Sequence, residues 1–287
     1  MRIQHNITAL NAHRNLTNNN ASLTKNLEKL SSGYRINRAG DDAAGLAISE
    51  KMRAQITGLQ TAQKNAEDGV SLVQTAEGAL TEVHSMLNRM VELATQSANG
   101  TYSEKNREEM QKEIDQLNKE IDRIGATSNF NGTKLFTKDN TIQLHVGEQG
   151  TDDNQISVTF AAMNASSITG ISRDGSVDTA SKVDLKTDVD VTGAAEAKAS
   201  ITIINNAIDN ISSMRSSFGA LQNRLEHTIN NLGVQTENIS AAESRIRDVD
   251  MAKEMMAYAK NNILVQASQA MLAQANQVPQ GVLQLLQ

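Results

Sequence analysis

The stretch from Gly33 to Lys51, GYRINRAGDDAAGLAISEK, carries three glycines, the adjacent acids Asp41 and Asp42, and the bases Arg35 and Arg38. Those types could build a phosphate loop or a metal-binding acid pair. The spacing builds neither. Adjacent residues at a helix start point in different directions, so the two carboxylates do not converge on one ion. No Gly-Lys-Ser/Thr follows the glycines, and no second acidic cluster has metal-site spacing. Asp41 or Asp42 fits an N-cap instead, with Gly33 and Gly40 as stops for a preceding helix. The five histidines, His5, His13, His84, His145 and His227, form no His-Glu-x-x-His pair, and no serine sits in a Gly-x-Ser-x-Gly elbow. His84 falls on an apolar stripe and reads as a packing residue. In SRIRDVD, Asp248 and Asp250 alternate with Arg245 and Arg247, the pattern of an ion-pair joint and not of an acid–base dyad. No catalytic group, metal or cofactor is expected.

The composition bounds the rest. The chain has 287 residues, 2% aromatics, no tryptophan, no cysteine and a single proline, Pro279. A core must come mainly from Leu, Ile, Val, Met and Ala, which suits helices packed along their length, and almost nothing interrupts those helices. Lack of cysteine removes disulfides, thiolate zinc sites and a cysteine nucleophile. The net charge is −6 and the basic residues form no patch, so nucleic acid is not an expected partner. No segment approaches the roughly 20 apolar residues of a membrane helix. The opening MRIQHNITALNAHRNL has no apolar run, so no cleaved signal peptide is expected. Beyond Lys260 no basic residue follows, which argues against an interfacial membrane helix there.

Periodicity then places the elements. Ile3, Ile7, Leu10, Leu16, Leu23, Leu27 and Leu30 make one narrow helical stripe. After the glycine-rich break, alternate four–three steps run through Met52, Ile56, Leu59, Gln63, Ala66, Val70, Val73, Glu77, Leu80, His84, Leu87, Val91 and Ala94, a coiled-coil seam. Gly100 is the expected stop, and Thr101, with Ser103 as rival, the next cap. Met110, Ile114, Leu117, Ile121 and Ile124 repeat the same steps. NFNGTKLF reads as a turn. Period two in Ile142, Leu144, Val146 and in Ile156, Val158, Phe160 reads as a β-hairpin. The Ser-, Thr- and Asp-rich stretch from Ser166 to Thr192 reads as short irregular structure. A second long seam takes Ile204, Ile208, Ile211, Arg215, Phe218, Gln222, Leu225, Ile229 and Leu232. The last helix carries Leu264, Ala267, Met271, Ala275, Val278, Val282 and Leu285.

The layout is a palindrome: thin helix, joint, long helix, β-rich middle, long helix, joint, thin helix. Matching seams are satisfied by antiparallel pairing. The expected fold is mainly α, an antiparallel long-helix coiled-coil bundle with a small β-hairpin region at its distal tip and the N- and C-termini paired. The thin helices offer about one apolar residue per turn, and a lone pair of such helices is marginal. They are expected to fold only against neighbouring subunits.

Four blocks, LEKLSSGYRINRAGDDAAGLAISEKMRAQI, DGVSLVQTAEGAL, FGALQNRLEHTINNL and AAESRIRDVDMAKEM with the following ASQAMLAQANQVPQGVLQLL, strongly resemble bacterial flagellin over residues 1–135 and 200–287. The short middle resembles a form without large variable outer domains. The resemblance implies a structural subunit of the motility filament, without enzymatic turnover. It implies an inner-tube part at 1–33 and 251–287 and joints at 34–43 and 244–250. The outer-tube part would take 44–165 and 194–243 with the hairpin, leaving a variable exposed segment at 166–193. Inner-tube packing would fall to Ile3, Ile7, Leu10, Leu23, Leu27, Leu264, Met271, Val278, Val282 and Leu285. Joint salt bridges, within or between subunits, would fall to Arg35, Arg38, Asp41, Asp42, Arg245, Arg247, Asp248 and Asp250. The implied partners are further copies of the chain, an export chaperone on the C-terminal helix, and filament cap and hook-junction proteins. Export would follow the flagellar type III route to the extracellular filament. The family's contact with a host Toll-like receptor would map to Leu87, Arg89, Leu93, Met110 and Glu113, with Met110 replacing the usual Ile and Val91 an Arg. Rival readings are a hook–filament junction protein, a filament protein carrying a peptidase, and a coiled-coil adaptor.

Overall fold

The computed structural model describes residues 6–171 and 177–285, and the side chains among these except at 171, 178–181 and 278–285. Among the described residues there are five α-helices, α1 (Ile7–Ser32), α2 (Ala43–Ser97), α3 (Glu104–Thr127), α4 (Ala194–Arg247) and α5 (Met251–Leu285). The strands are short and antiparallel: β1 (Asn129–Phe130), β2 (Thr133–Lys134), β3 (Asn140–His145), β4 (Gln155–Phe160), β5 (Met163–Asn164), β6 (Ser167–Ile171) and β7 (Val177–Val183). The chain forms two compact units. One combines the chain up to Ile56 with that from Glu237, and the other is Thr57–Thr236. The division falls inside α2 and α4, not at the expected joints.

Thr57–Thr236 holds the apolar core. The α2 residues fully withdrawn from solvent include Leu59, Ala66, Val73, Leu80, Leu87 and Ala94, one heptad apart, as the seam requires. The second position of each heptad sits one residue earlier than the expected Gln63, Val70, Glu77, His84 and Val91. It is Ala62, Gly69, Ala76, Val83 and Met90 that are buried. The same displacement occurs on α4, where Ala207 and Met214 are buried in place of Ile208 and Arg215. The polar residues that seemed to interrupt the seams therefore flank them, and Glu77 reaches Arg215 across the flank at 3.5 Å. On α3 the buried set is Ile114, Asn118, Ile121 and Gly125. Gly125 is required there: a methyl group would strike the Met163 carbonyl oxygen.

Local chemistry sets the boundaries. Ser103, not Thr101, caps α3, its hydroxyl accepting from the Asn106 amide, and α2 ends at Ser97, before Gly100. Asn131 (φ 48°) and Gly132 (φ 80°) turn β1 into β2, the two-residue turn that Asn-Gly favours because both central residues need positive φ. β3 pairs with β4 with Ile142 opposite Val158 and Leu144 opposite Ile156, the hairpin read from period two. Three of the chain's four phenylalanines meet nearby: Phe160 lies 6.0 Å from Phe136, edge-on, and 5.4 Å from Phe218.

The stretch expected to be irregular and exposed, 166–193, departs from that expectation. It contains β6 and β7, and Ile168, Leu185, Val189 and Val191 are buried. Helical side chains bind its backbone. Ser97 donates to the Val191 carbonyl, Gln111 bonds both Val189 and Val191, Asn118 donates to Leu185 and Asn210 to Ile168. Ser200 exchanges hydrogen bonds with the Asp190 main chain. Hydrogen bonds to backbone groups order a segment whatever its side chains are, so composition was no guide to its structure.

Candidate functional site

The unit formed by the two chain ends contains the glycine- and acid-rich stretch. α1 ends where Gly33 takes φ 76° and its amide donates to Lys29 O (2.9 Å). The chain then runs alongside the end of α4. Tyr34 and Asp248 form a single antiparallel bridge, the Val249 amide donates to Gly33 O (3.0 Å), and the Arg35 amide donates to Arg247 O (2.7 Å). A helix leaves its last four carbonyls without internal donors. Here the Ser244 carbonyl accepts from the Asp248 amide (2.9 Å), and Arg247 from the Arg35 amide. The carbonyls of Arg245 and Ile246 accept from the Arg35 guanidinium. One residue of the first joint thus closes three of the four.

The two aspartates divide their labour. Asp42 caps α2 by accepting from the Gly45 amide (2.9 Å). Asp41 binds Lys25 of α1 at 2.7 Å and accepts from the amides of Asn37 (3.3 Å) and Arg38 (3.2 Å). The Lys25 hydrogen bond, helped by those two amides, holds the Asp41 carboxyl down at about 2. Arg38 pairs with Glu28 (2.9 Å). Arg247 lies 4.6 Å over the Tyr34 ring and pairs with Glu50 (2.9 Å) and Glu243 (4.0 Å). Asp248 accepts from the Ser244 hydroxyl (2.6 Å), and Asp250 caps α5 through the Lys253 amide (3.1 Å). The Arg245 side chain lies on the helix surface, and its carbonyl is what the joint uses. Every acid is engaged in capping or pairing, and among the described residues no three metal-ligating groups cluster. The arrangement fastens helix ends together.

α1 and α5 pair antiparallel through a seam of mixed apolar and polar residues. Half-buried residues recur on α1 at Ala9, Ala12, Leu16, Asn19, Leu23, Asn26 and Leu30, and on α5 at Glu254, Tyr258, Asn261, Ser268, Leu272 and Ala275 around the buried Val265. Asn6 donates to Ala275 O (2.8 Å) and Asn19 to the Ser268 hydroxyl (3.0 Å). With its amide oriented to satisfy both neighbours, Asn26 donates to Glu254 (3.0 Å) and accepts from Asn261 (3.0 Å). Such bonds net about 0.5–1.5 kcal/mol each, against about 1.5–3 kcal/mol for burying a leucine. A second set of large apolar residues points away from the seam. Ile7 is 57% exposed, Leu10 65%, Leu27 54%, Ile263 65% and Met271 67%. Of the expected packing residues, Leu23 faces the seam, while Ile7, Leu10, Leu27, Leu264 and Met271 face away from it. Ile3 and the side chains of Val278, Val282 and Leu285 lie outside the described residues.

On the other unit, Arg89 bonds Glu113 of α3 and Glu92 of its own helix, both at 2.9 Å, on an exposed face. Leu87, read from periodicity as a seam residue, and Leu93, both named by the family resemblance as receptor contacts, are core residues at 0% and 2% exposure, and Met110 packs half-buried against the same core. The heptad explains the correction: Leu87 and Leu93 lie on the inward side of α2, and Arg89 on the outward side. No helix among the described residues is long and apolar enough to cross a membrane.

Two family models match the chain, the bacterial flagellin N-terminal helical region over residues 3–141 and the bacterial flagellin C-terminal helical region over residues 201–286. The chain is 51% identical to a flagellin of Bacillus subtilis and 52% identical to one of Halalkalibacterium halodurans, each over the full length of both chains. Among solved structures, a flagellar hook-associated protein from Vibrio parahaemolyticus superposes with TM-score 0.59 at 15% identity, covering 72% of this chain and all of that one. That likeness reports a shared fold alone; the full-length identities lie with flagellins.

Proposed function

The chain belongs to the bacterial flagellin family and is a structural, non-enzymatic subunit of the flagellar filament outside the cell, and from that premise we propose that α1 and α5 carry its assembly through their outward apolar faces. The observation that supports this is the exposure of Ile7, Leu10, Leu27, Ile263 and Met271 on the faces of a helix pair turned away from its own seam. A folded chain rarely leaves so many large apolar residues along two helices without a partner. Further copies of the same chain supply that partner, and the inner-tube assignment of 1–33 and 251–287 follows. Removing residues from Val278 onward abolishes or badly weakens assembly and leaves the helices of Thr57–Thr236 folded. Normal filaments from that truncation would refute the assignment.

The same reading covers the finer partners. α5, apolar and free of basic residues past Lys260, is the segment on which an export chaperone would hold the subunit unassembled. Export by the flagellar type III route without a cleaved leader, and contact with cap and hook-junction proteins, rest on family membership. For a Toll-like receptor, the burial of Leu87 and Leu93 narrows the contact to the exposed Arg89–Glu113 pair, with half-buried Met110 beside it. Arg89→Glu then lowers receptor signalling by the monomer at unchanged helix content. Equal signalling from wild type and variant would remove Arg89 from the contact.

A further inference from the structure

The seam between α1 and α5 is mixed. Leu16, Leu23, Leu30, Val265 and Leu272 lie on it, and the levels between them are taken by Asn19, Asn26, Asn261 and Ser268 where further leucines would bury more apolar surface. The placement is regular. Asn19 and Asn26 are one heptad apart, and so are Asn261, Ser268 and Ala275, so each polar contact repeats at the same level of the seam. Each also joins groups that can satisfy one another only when aligned: an amide with a hydroxyl, an amide with an amide and a carboxylate, an amide with a main-chain carbonyl. A slip of one heptad toward the C-terminus of α5 would set Asn19 against Ala275, whose side chain offers no hydrogen bond, and would take Asn26 away from Glu254.

Buried polar residues at coiled-coil seam positions fix register and partner at a cost in stability. The requirement is acute here because both helices carry a second apolar face. Were the levels of Asn19, Asn26, Asn261 and Ser268 leucine as well, α1 could present either face to α5, and any heptad register would bury a similar area. We propose that Asn19, Asn26, Asn261 and Ser268 are specificity-determining residues that fix the register and facing of α1 on α5, so that Ile7, Leu10 and Leu27 are left for other copies. The proposal rests on the assembly reading only for what covers those outward faces; the register itself is a property within one chain.

The chain has no cysteine, so engineered pairs report register cleanly. Full-length chains carrying Asn19→Cys with Ser268→Cys report the native register, and Asn19→Cys with Ala275→Cys a one-heptad slip. Each pair is made with Asn26 and Asn261 intact and again with Asn26→Leu and Asn261→Leu. Polymer is pelleted, oxidised, and digested without reduction, and intrachain disulfide peptides are quantified by mass. With the asparagines intact, at least tenfold more crosslink forms in the native pair than in the slipped pair. With leucines the ratio falls to within about threefold, and Asn26→Ser with Asn261→Ser restores it. Retention of the tenfold preference in the leucine background would overturn the proposal, as would equal crosslinking of the two pairs with the asparagines intact. Should the double-leucine chains not pellet, Asn26→Leu alone carries the same test with a smaller fall. Failure of the unsubstituted chain to polymerise would count against the assembly reading instead.

Discussion

The two helix pairs of this molecule follow the same heptad arithmetic and use it in opposite ways. Within Thr57–Thr236, α2 and α4 turn Leu80, Leu87, Met90, Met214 and Phe218 inward and leave charges such as Arg89 outside. α1 and α5 set Asn19, Asn26, Asn261 and Ser268 between the seam leucines and leave a second apolar set, Leu10, Leu27 and Met271, outside. The first pair resembles a domain that completes its own core. The second has the makings of a core that other chains must finish. What differs is less the amount of apolar surface than the direction in which it points, and that direction separates a stable unit from an assembling one.

Substitutions that unfold one unit without touching the other sharpen the contrast. Phe218→Ala removes the ring that packs on Phe160 and should cost about 3–5 kcal/mol, read as a fall in the monomer's main melting transition. Gly125→Ala pushes a methyl group into the Met163 carbonyl and should cost about 1–3 kcal/mol in the same transition. Ser103→Ala removes the α3 cap for about 1 kcal/mol, while Thr101→Ala leaves the transition unmoved. A shift from Thr101→Ala equal to that from Ser103→Ala would mean that the cap is misassigned.

The smallest effect is electrostatic and belongs to the other unit. The Asp41 carboxyl sits at about 2 in the folded chain, below its ordinary 3.8, because Lys25 and two amides stabilise the ionised form. A depressed carboxyl stabilises above its unfolded value, and that contribution fades as pH falls through the folded one. Thermal dissociation of assembled protein should therefore separate wild type from Asp41→Asn by a constant margin above pH 3.8 and converge as pH approaches about 2. A margin that persists to the lowest pH would assign the effect to something other than the charge.

Much of this contrast was legible in the sequence. The heptad position at Leu59, Ala66, Val73, Leu80, Leu87 and Ala94 was read directly, because apolar recurrence marks a buried stripe. Its companion was misplaced by one residue. Ala62, Gly69 and Ala76 carry little side chain, so they register weakly in an apolar count, yet small residues are what helices bury where they approach closely. The receptor contact implied by the family resemblance names Leu87 and Leu93 beside Arg89, whereas the phase of the stripe leaves Arg89 outside and turns both leucines in. In the terminal helices the stripe holds at Leu16, Leu23 and Leu30, which lie on the seam, and fails at Ile7, Leu10 and Leu27, which face away while Asn19 and Asn26 occupy the levels between the leucines. The joint's residue types were visible, whereas Arg35 serving the carbonyls of Arg245 and Ile246 needs a contact across more than two hundred residues, which no local pattern encodes.

The most direct test of the outward faces is electron microscopy of full-length protein carrying Leu10→Ser, Leu27→Ser and Ile263→Ser after a polymerisation trigger, beside wild type. The account predicts long filaments from wild type and none from the variant, with the melting transition of the Thr57–Thr236 unit unchanged between them. Normal filaments from the variant would contradict it.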